Sequence, residues 1–206
     1  MKNILDRFKN AMNRFSQSAK YRRQWNLFYR LVEPITRCSI IARNPTLSLL
    51  YAKHLKPPST GTVLPTPETE LLIETVGGSA SAAFVEYFNA HNPQTKVAYI
   101  GHVPASVKYC VKRNIPTIVL TRNILDYVRS ASTRLPQMSK GNAIRTYYIF
   151  HKEILPLRDK IVVADFYVVR ENPQQVIRQC NAFYGTNFAL GDNDMPRTRA
   201  TQYPGL

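Results

Sequence analysis

Three short segments combine residue types that handle anions and protons. The first, Val76-Gly77-Gly78-Ser79-Ala80-Ser81-Ala82-Ala83, places two glycines and two serines between an apolar run and a helical pattern. Glycines let the backbone come close to a phosphate or sulfate, and the following helix offers unpaired N–H groups and the positive end of its dipole. Many strand-to-helix turns carry glycine for geometry alone. With no lysine, the segment fails the G-x-x-x-x-G-K-[ST] pattern, which argues against an ATPase or GTPase. The second segment, Ile100-Gly101-His102-Val103-Pro104, sets a histidine behind a short apolar run. Its near-neutral pKa suits it to take a proton from a hydroxyl, although a lone histidine is more often a scaffold residue. The third runs from Thr121 through Arg122 to Ser130, eight residues beyond the arginine. A guanidinium and a hydroxyl so placed can grip one phosphate, the arginine bidentately. The competing reading pairs Arg122 with Asp126 at a helix start and leaves Ser130 an incidental polar position.

These segments act together only if the fold delivers them to one edge. Glu70–Val76, Val97–Ile100, Thr117–Thr121 and Ile161–Ala164 read as strands. Between them lie helical patterns: from about Ser81 to Ala90, through Val107, Cys110 and Val111, through Leu125, Val128 and Ser132, and from Asn142 to Leu155. A late face holds Val176, Ile177, Cys180, Phe183 and Tyr184. This alternation predicts an α/β three-layer sandwich around a central, mostly parallel sheet. Right-handed crossovers then place the functional loops at the carboxyl ends of the strands.

With 28 Lys and Arg against 13 Asp and Glu, the chain carries a net charge of +15, which favours nucleotides, nucleic acid, sulfated sugars or acidic membranes as partners. A hydrophobic content of 44% excludes global disorder. The charge is uneven. Residues 1–56 hold 12 basic and 2 acidic residues, net +10, so the remainder carries only +5. Residues 57–68 contain four prolines and read as a linker between a basic helical N-terminal segment (1–56) and an α/β domain (69–206). Ile4, Leu5, Phe8, Ala11, Met12 and Phe15 recur at helical spacing, giving a cationic amphipathic helix over residues 3–18. That helix either packs on the body or a partner, or lies on an anionic membrane. Tyr21 to Tyr51 mixes aromatic and basic residues that either stack on a nucleic-acid strand or form core. Cys38, Cys110 and Cys180 are widely spaced without any C-x-x-C, so neither a disulfide framework nor a metal site is expected. A reducing, cytoplasmic setting follows. Asp6 and Arg7 stand where a signal peptide needs apolar residues, and no apolar run reaches the roughly 18 residues of a membrane span. The expectation is a soluble or peripheral protein.

The order and spacing of the three segments, with a late unit ending in Phe183-Tyr184-Gly185, resemble the sulfotransferase family from about Leu71 to Phe188. The resemblance implies a P-loop NTPase-like fold and 3′-phosphoadenosine 5′-phosphosulfate (PAPS) as donor, with no metal. Gly77, Gly78, Ser79, Ala80, Ser81 and Ala82 fall on the loop that binds the 5′-phosphosulfate. Arg122 and Ser130 fall on the pair that holds the 3′-phosphate. His102 matches the histidine of the family's K-T-H-L-P segment, where it acts as base, and Glu86 is a rival base because some carbohydrate-type members use a glutamate in that region. Asp165 falls where members often carry an acidic residue and is read as structural. The chain departs from the pattern at four places. Gly78 stands where members have lysine or arginine, Ile124 replaces the proline of R-N-P, Ile100 replaces the lysine of K-T-H, and the closing R-K-G segment is absent.

The resemblance thus implies transfer of a sulfuryl group from PAPS to a hydroxyl or amine of an acceptor, a carbohydrate among the candidates. Catalysis of this kind is mainly positioning and electrostatics. Lys108, Lys112, Arg197 and Arg199 are candidates to replace the missing loop cation. His54, His91 and His151 carry no motif and are assigned to the surface or the scaffold. Two other readings stay open: a binder of nucleotides or sulfated ligands without turnover, and a nucleic-acid- or membrane-associating protein acting through residues 1–56.

Overall fold

The run Leu71-Leu72-Ile73-Glu74-Thr75 puts large aliphatic side chains on both faces of a strand, so it has to be covered on both sides. The computed structural model describes residues 63–76, 78–100, 103–134, 138–192 and 195. In it this run is strand β1 (Leu71–Thr75), buried at all five positions. There follow α1 (Ser81–His91), β2 (Val97–Ala98), α2 (Pro104–Lys112), β3 (Thr117–Thr121), α3 (Ile124–Arg134) and α4 (Lys140–Ile154). A 3-10 helix (Leu155–Lys160), β4 (Val162–Asp165), α5 (Phe166–Glu171) and α6 (Pro173–Tyr184) complete the order. The N-terminal segment 1–56, with Cys38 and His54, and also Gly77, His102, Arg197 and Arg199 lie outside the described residues.

The strands lie in the order β2-β1-β3-β4, and every neighbouring pair is parallel. Alternation along each strand divides the core into two layers. Leu71, Ile73, Ile118, Leu120 and Val162 face α1, α5 and α6, where Phe84, Phe88, Val169 and Ile177 are buried. Leu72, Val76 and Val119 face α2, α3 and α4, meeting Val107, Tyr127, Ala143 and Phe150. Each large apolar side chain fully buried in this way contributes about 1.5–3 kcal/mol. The α/β reading and its parallel sheet are therefore present as three layers.

Boundaries moved where side chains or pairing intervened. β2 stops at Ala98 because Tyr99 turns to an antiparallel bridge with Val63, its N–H donating to the Val63 carbonyl at 2.9 Å and its carbonyl accepting from Val63 at 2.7 Å. This ties the described end of the proline-rich stretch to the sheet, where Leu64 packs on Ile100, Val103 and Ala105. β4 extends to Asp165, whose carboxylate accepts from the Tyr167 N–H at 2.8 Å and so caps α5. Pro104 and Pro173 open α2 and α6 at positions where a missing N–H removes no helical bond. After α6 the chain returns along α1. Asn92 donates to the Ala189 carbonyl at 3.0 Å and accepts from its N–H at 2.8 Å, while the Tyr87 hydroxyl donates to the Leu190 and Asp192 carbonyls.

Cys110 and Cys180 sit one in each core layer, and burial pushes both thiols up to about 12, the charge of Glu74 adding to the effect at Cys110. Thiolate is the reactive form. Neither cysteine is therefore expected to react with iodoacetamide in the native protein near pH 8, whereas both react in urea; mapping the adducts by peptide mass checks this, and prompt native labelling at either position would show its layer to be open.

Candidate functional site

β1 crosses to β2 on one side while β3 crosses to β4 on the other, so the chain diverges above the β1/β3 pair. In open α/β sheets, ligands bind in the crevice at this switch point, beyond the carboxyl ends of the strands. Thr75 lies beside Leu120 in the ladder, so the segment after β1 and the segment beginning at Arg122 emerge side by side.

The loop after β1 is a tight turn. Gly78 and Ala80 both take left-handed conformations, with φ of +64° and +58°. Glycine does this freely, whereas alanine there costs roughly 1–2 kcal/mol. Ser79 is fully buried, and the Ser81 hydroxyl bonds that of Tyr99 at 2.9 Å. Both serine side chains thus turn into the fold, and the loop meets an approaching ligand with its backbone. α1 begins on Ala80 with no side-chain cap and no acidic residue in its first turn, and Ala82 is exposed. A helix start left positive in this way favours an anion.

Arg122 comes to that loop from the end of β3. Its Nη1 donates to the Gly78 carbonyl at 2.9 Å, and the guanidinium carbon lies 4.2 Å from the centre of the Phe166 ring. Its Nε lies 4.0 Å from Asp126 Oδ2, beyond hydrogen-bond range, and is buried without a hydrogen-bond partner. The side chain remains 21% exposed. A positive charge thus reaches the Gly78 carbonyl from a neighbouring strand. Of the cations read from sequence as replacements for a missing loop cation, Lys108 is paired with Glu153 at 2.5 Å, Lys112 ends α2 at the opposite edge of the sheet, and Arg197 and Arg199 lie outside the described residues. Ser130 is half-buried about 9 Å along α3 from its start. Asp126, one turn nearer the strand, faces the guanidinium, so the pairing of Arg122 with Asp126 read from sequence is present. Glu86 stands on the exposed side of α1.

Three residues shape this edge without having been singled out from sequence. Glu74 is fully buried on the α2 face; its Oε2 accepts from the Ser106 hydroxyl at 2.6 Å and its Oε1 from the Thr75 N–H at 2.9 Å. This ties the end of β1 to the first turn of α2, and a lone acid inside an apolar run was the available signal. Phe166, the first residue after β4, carries the Arg122 guanidinium. Tyr147 donates from its hydroxyl to the Arg122 carbonyl at 2.9 Å, and burial, with Asp165 adding, pushes that phenol up so that it stays a donor.

Behind Tyr147 lies His151, stacked on its ring at 4.0 Å. His151 Nδ1 donates to the Tyr147 carbonyl at 2.8 Å, and Nε2 is buried without a hydrogen-bond partner. Burial lowers the His151 pKa, because protonation would put an unpaired N–H and a charge in the packed layer.

Compared with known protein families, curated proteins and solved structures, the chain matches none. The functional reading therefore rests on the geometry of this edge.

Since its folded pKa lies below the unfolded value near 6.5, the unfolded chain binds more protons between the two. The stabilising effect of neutral His151 is full above about pH 6.5 and declines as pH falls below it. The stability advantage of the native protein over His151→Gln, measured by urea unfolding, is expected to shrink from about pH 7.5 to about pH 5.5; an advantage that stays constant with pH would remove His151 from this role.

Proposed function

We propose that the chain binds PAPS at the β1/β3 switch point and transfers its sulfuryl group to a hydroxyl or amine of an acceptor. The observation that carries the reading is the Arg122 guanidinium bonded at 2.9 Å to Gly78, beside an uncapped helix start. Backbone N–H groups of the Gly78–Ala82 turn would hold the sulfate and 5′-phosphate, and Arg122 with Ser130 would select the 3′-phosphate. In the transfer, the bond from sulfur to the bridging oxygen of PAPS breaks as the acceptor oxygen or nitrogen attacks in line. The acceptor proton passes to His102, and 3′,5′-adenosine bisphosphate leaves. Positive charge close to the bridging oxygen stabilises the transition state; with Arg122 given to the 3′-phosphate, that charge would come from the uncapped start of α1 and the N–H groups of the turn.

Binding without turnover is the second reading, and one observation favours it. Arg122 is already engaged by Gly78, Phe166 and Asp126. A ligand anion has to draw the guanidinium from those partners, which leaves it less able to follow charge that develops during transfer.

Calorimetric titration with 3′,5′-adenosine bisphosphate tests the shared part of both readings. Saturable binding is expected, weakened about 10- to 100-fold by Arg122→Ala, in line with loss of one or two charge-assisted hydrogen bonds, and weaker for the nucleotide lacking the 3′-phosphate. No binding by the native protein would sink the nucleotide assignment. Turnover separates the two readings: sulfate transfer from PAPS should fall about 100-fold or more in His102→Ala. Binding with no transfer to any hydroxyl or amine acceptor tried would leave the binder alone standing.

A further inference from the structure

The inner face of α4 packs into the core through Ala143, Phe150 and Ile154, and its outer face shows an unusual mixture. Ile144, Tyr148 and Leu155 are exposed at 48%, 59% and 59%. At 100° per residue they fall within about 40° of one another, forming one apolar row that runs into the 3-10 helix. Beside this row stand exposed Arg145 and Lys152, with Lys140 at the helix start, and the Lys152 ammonium lies 5.5 Å from the centre of the Tyr148 ring. The single acid of α4, Glu153, turns inward to Lys108 at 2.5 Å, so the outer face of this helix carries no negative charge. Scattered exposed apolar residues are ordinary; an aligned row flanked by unopposed cations is not explained by the packing of the domain.

We propose that the outer face of α4 docks on an anionic lipid surface. An interfacial helix needs apolar side chains to enter the headgroup boundary and cations to meet the lipid phosphates and carboxylates. This face has both, side by side along one helix. The aliphatic members decide between lipid and nucleic acid: single strands are held by aromatic stacking and phosphate contacts, for which Ile144 and Leu155 have no use, whereas both suit an acyl-chain boundary. Among the described residues no helix is long and apolar enough to cross a membrane, so the contact is peripheral. This docking does not rest on the nucleotide reading, and it draws on the modest charge of the α/β body, separately from the charge of the basic segment 1–56.

The test needs a readout local to α4, because residues 1–56 carry +10 of their own. Trp25 is the single tryptophan of the chain. In the full-length Trp25→Phe background, Tyr148→Trp places an indole in the row. With vesicles of phosphatidylcholine and phosphatidylserine whose acyl chains are brominated, the indole fluorescence is expected to be quenched; with phosphatidylcholine alone it is not. Each basic residue at such a surface is worth about five-fold in binding, so Arg145→Gln with Lys152→Gln should weaken the quenching titration about 25-fold. Ile144→Ser with Leu155→Ser should abolish quenching. Vesicle binding with an unquenched indole, titrations unmoved by the paired charge changes, or a contact that transfers to a single-stranded oligonucleotide with no quenching by lipid would each overturn the proposal.

Discussion

The parallel pairing of β1 with β3 is the constraint on which the rest of the molecule depends. It joins two strands buried on both faces, so helices have to cover each side and the carboxyl ends become the place where a ligand can approach. Because the chain leaves β1 and β3 toward opposite flanks, none of the connections among the described strands crosses the gap between them. Everything that gives this edge its chemistry follows from that gap: the turn at Gly78 and Ala80, the uncapped start of α1, and an arginine arriving from the next strand.

Arg122 stands where electrostatics and packing meet. Its charge is shared among a carbonyl, an aromatic face and, at the limit of contact, the Asp126 carboxylate. A cation–π contact of this type is worth about 0.5–2 kcal/mol, rising with desolvation. The fold therefore orients the guanidinium firmly while a fifth of the side chain stays open to solvent. Tyr147 holds the arginine's own carbonyl, and His151 backs Tyr147, so a neutral aromatic column within the α3/α4 layer supports a charged residue at the edge. Glu74 plays the corresponding part for β1, anchoring the strand to α2 through Ser106.

The legible parts of the fold are those written in near neighbours. Thr117–Thr121 matched its apolar run residue for residue because nothing at either end competes with the strand. Pro104 and Pro173 marked helix starts because a fixed φ and a missing N–H act locally. β2 was read two residues too long, since the antiparallel bridge to Val63 depends on a segment more than thirty residues away. Asp165 was recognised as structural, and its capping role explains why β4 ends there.

At the site, sequence alone determined the ingredients: a glycine and serine turn ahead of a helix, an arginine at a strand end, and an acid four residues on. The contact that joins them came from tertiary structure, because Arg122 and Gly78 lie 44 residues apart and meet only when β1 and β3 are neighbours in the sheet. Residue chemistry and local periodicity are properties of short stretches, whereas strand order is chosen by the burial of both faces of the whole sheet. That is why the contact between Arg122 and the loop was visible only once the strands were placed side by side.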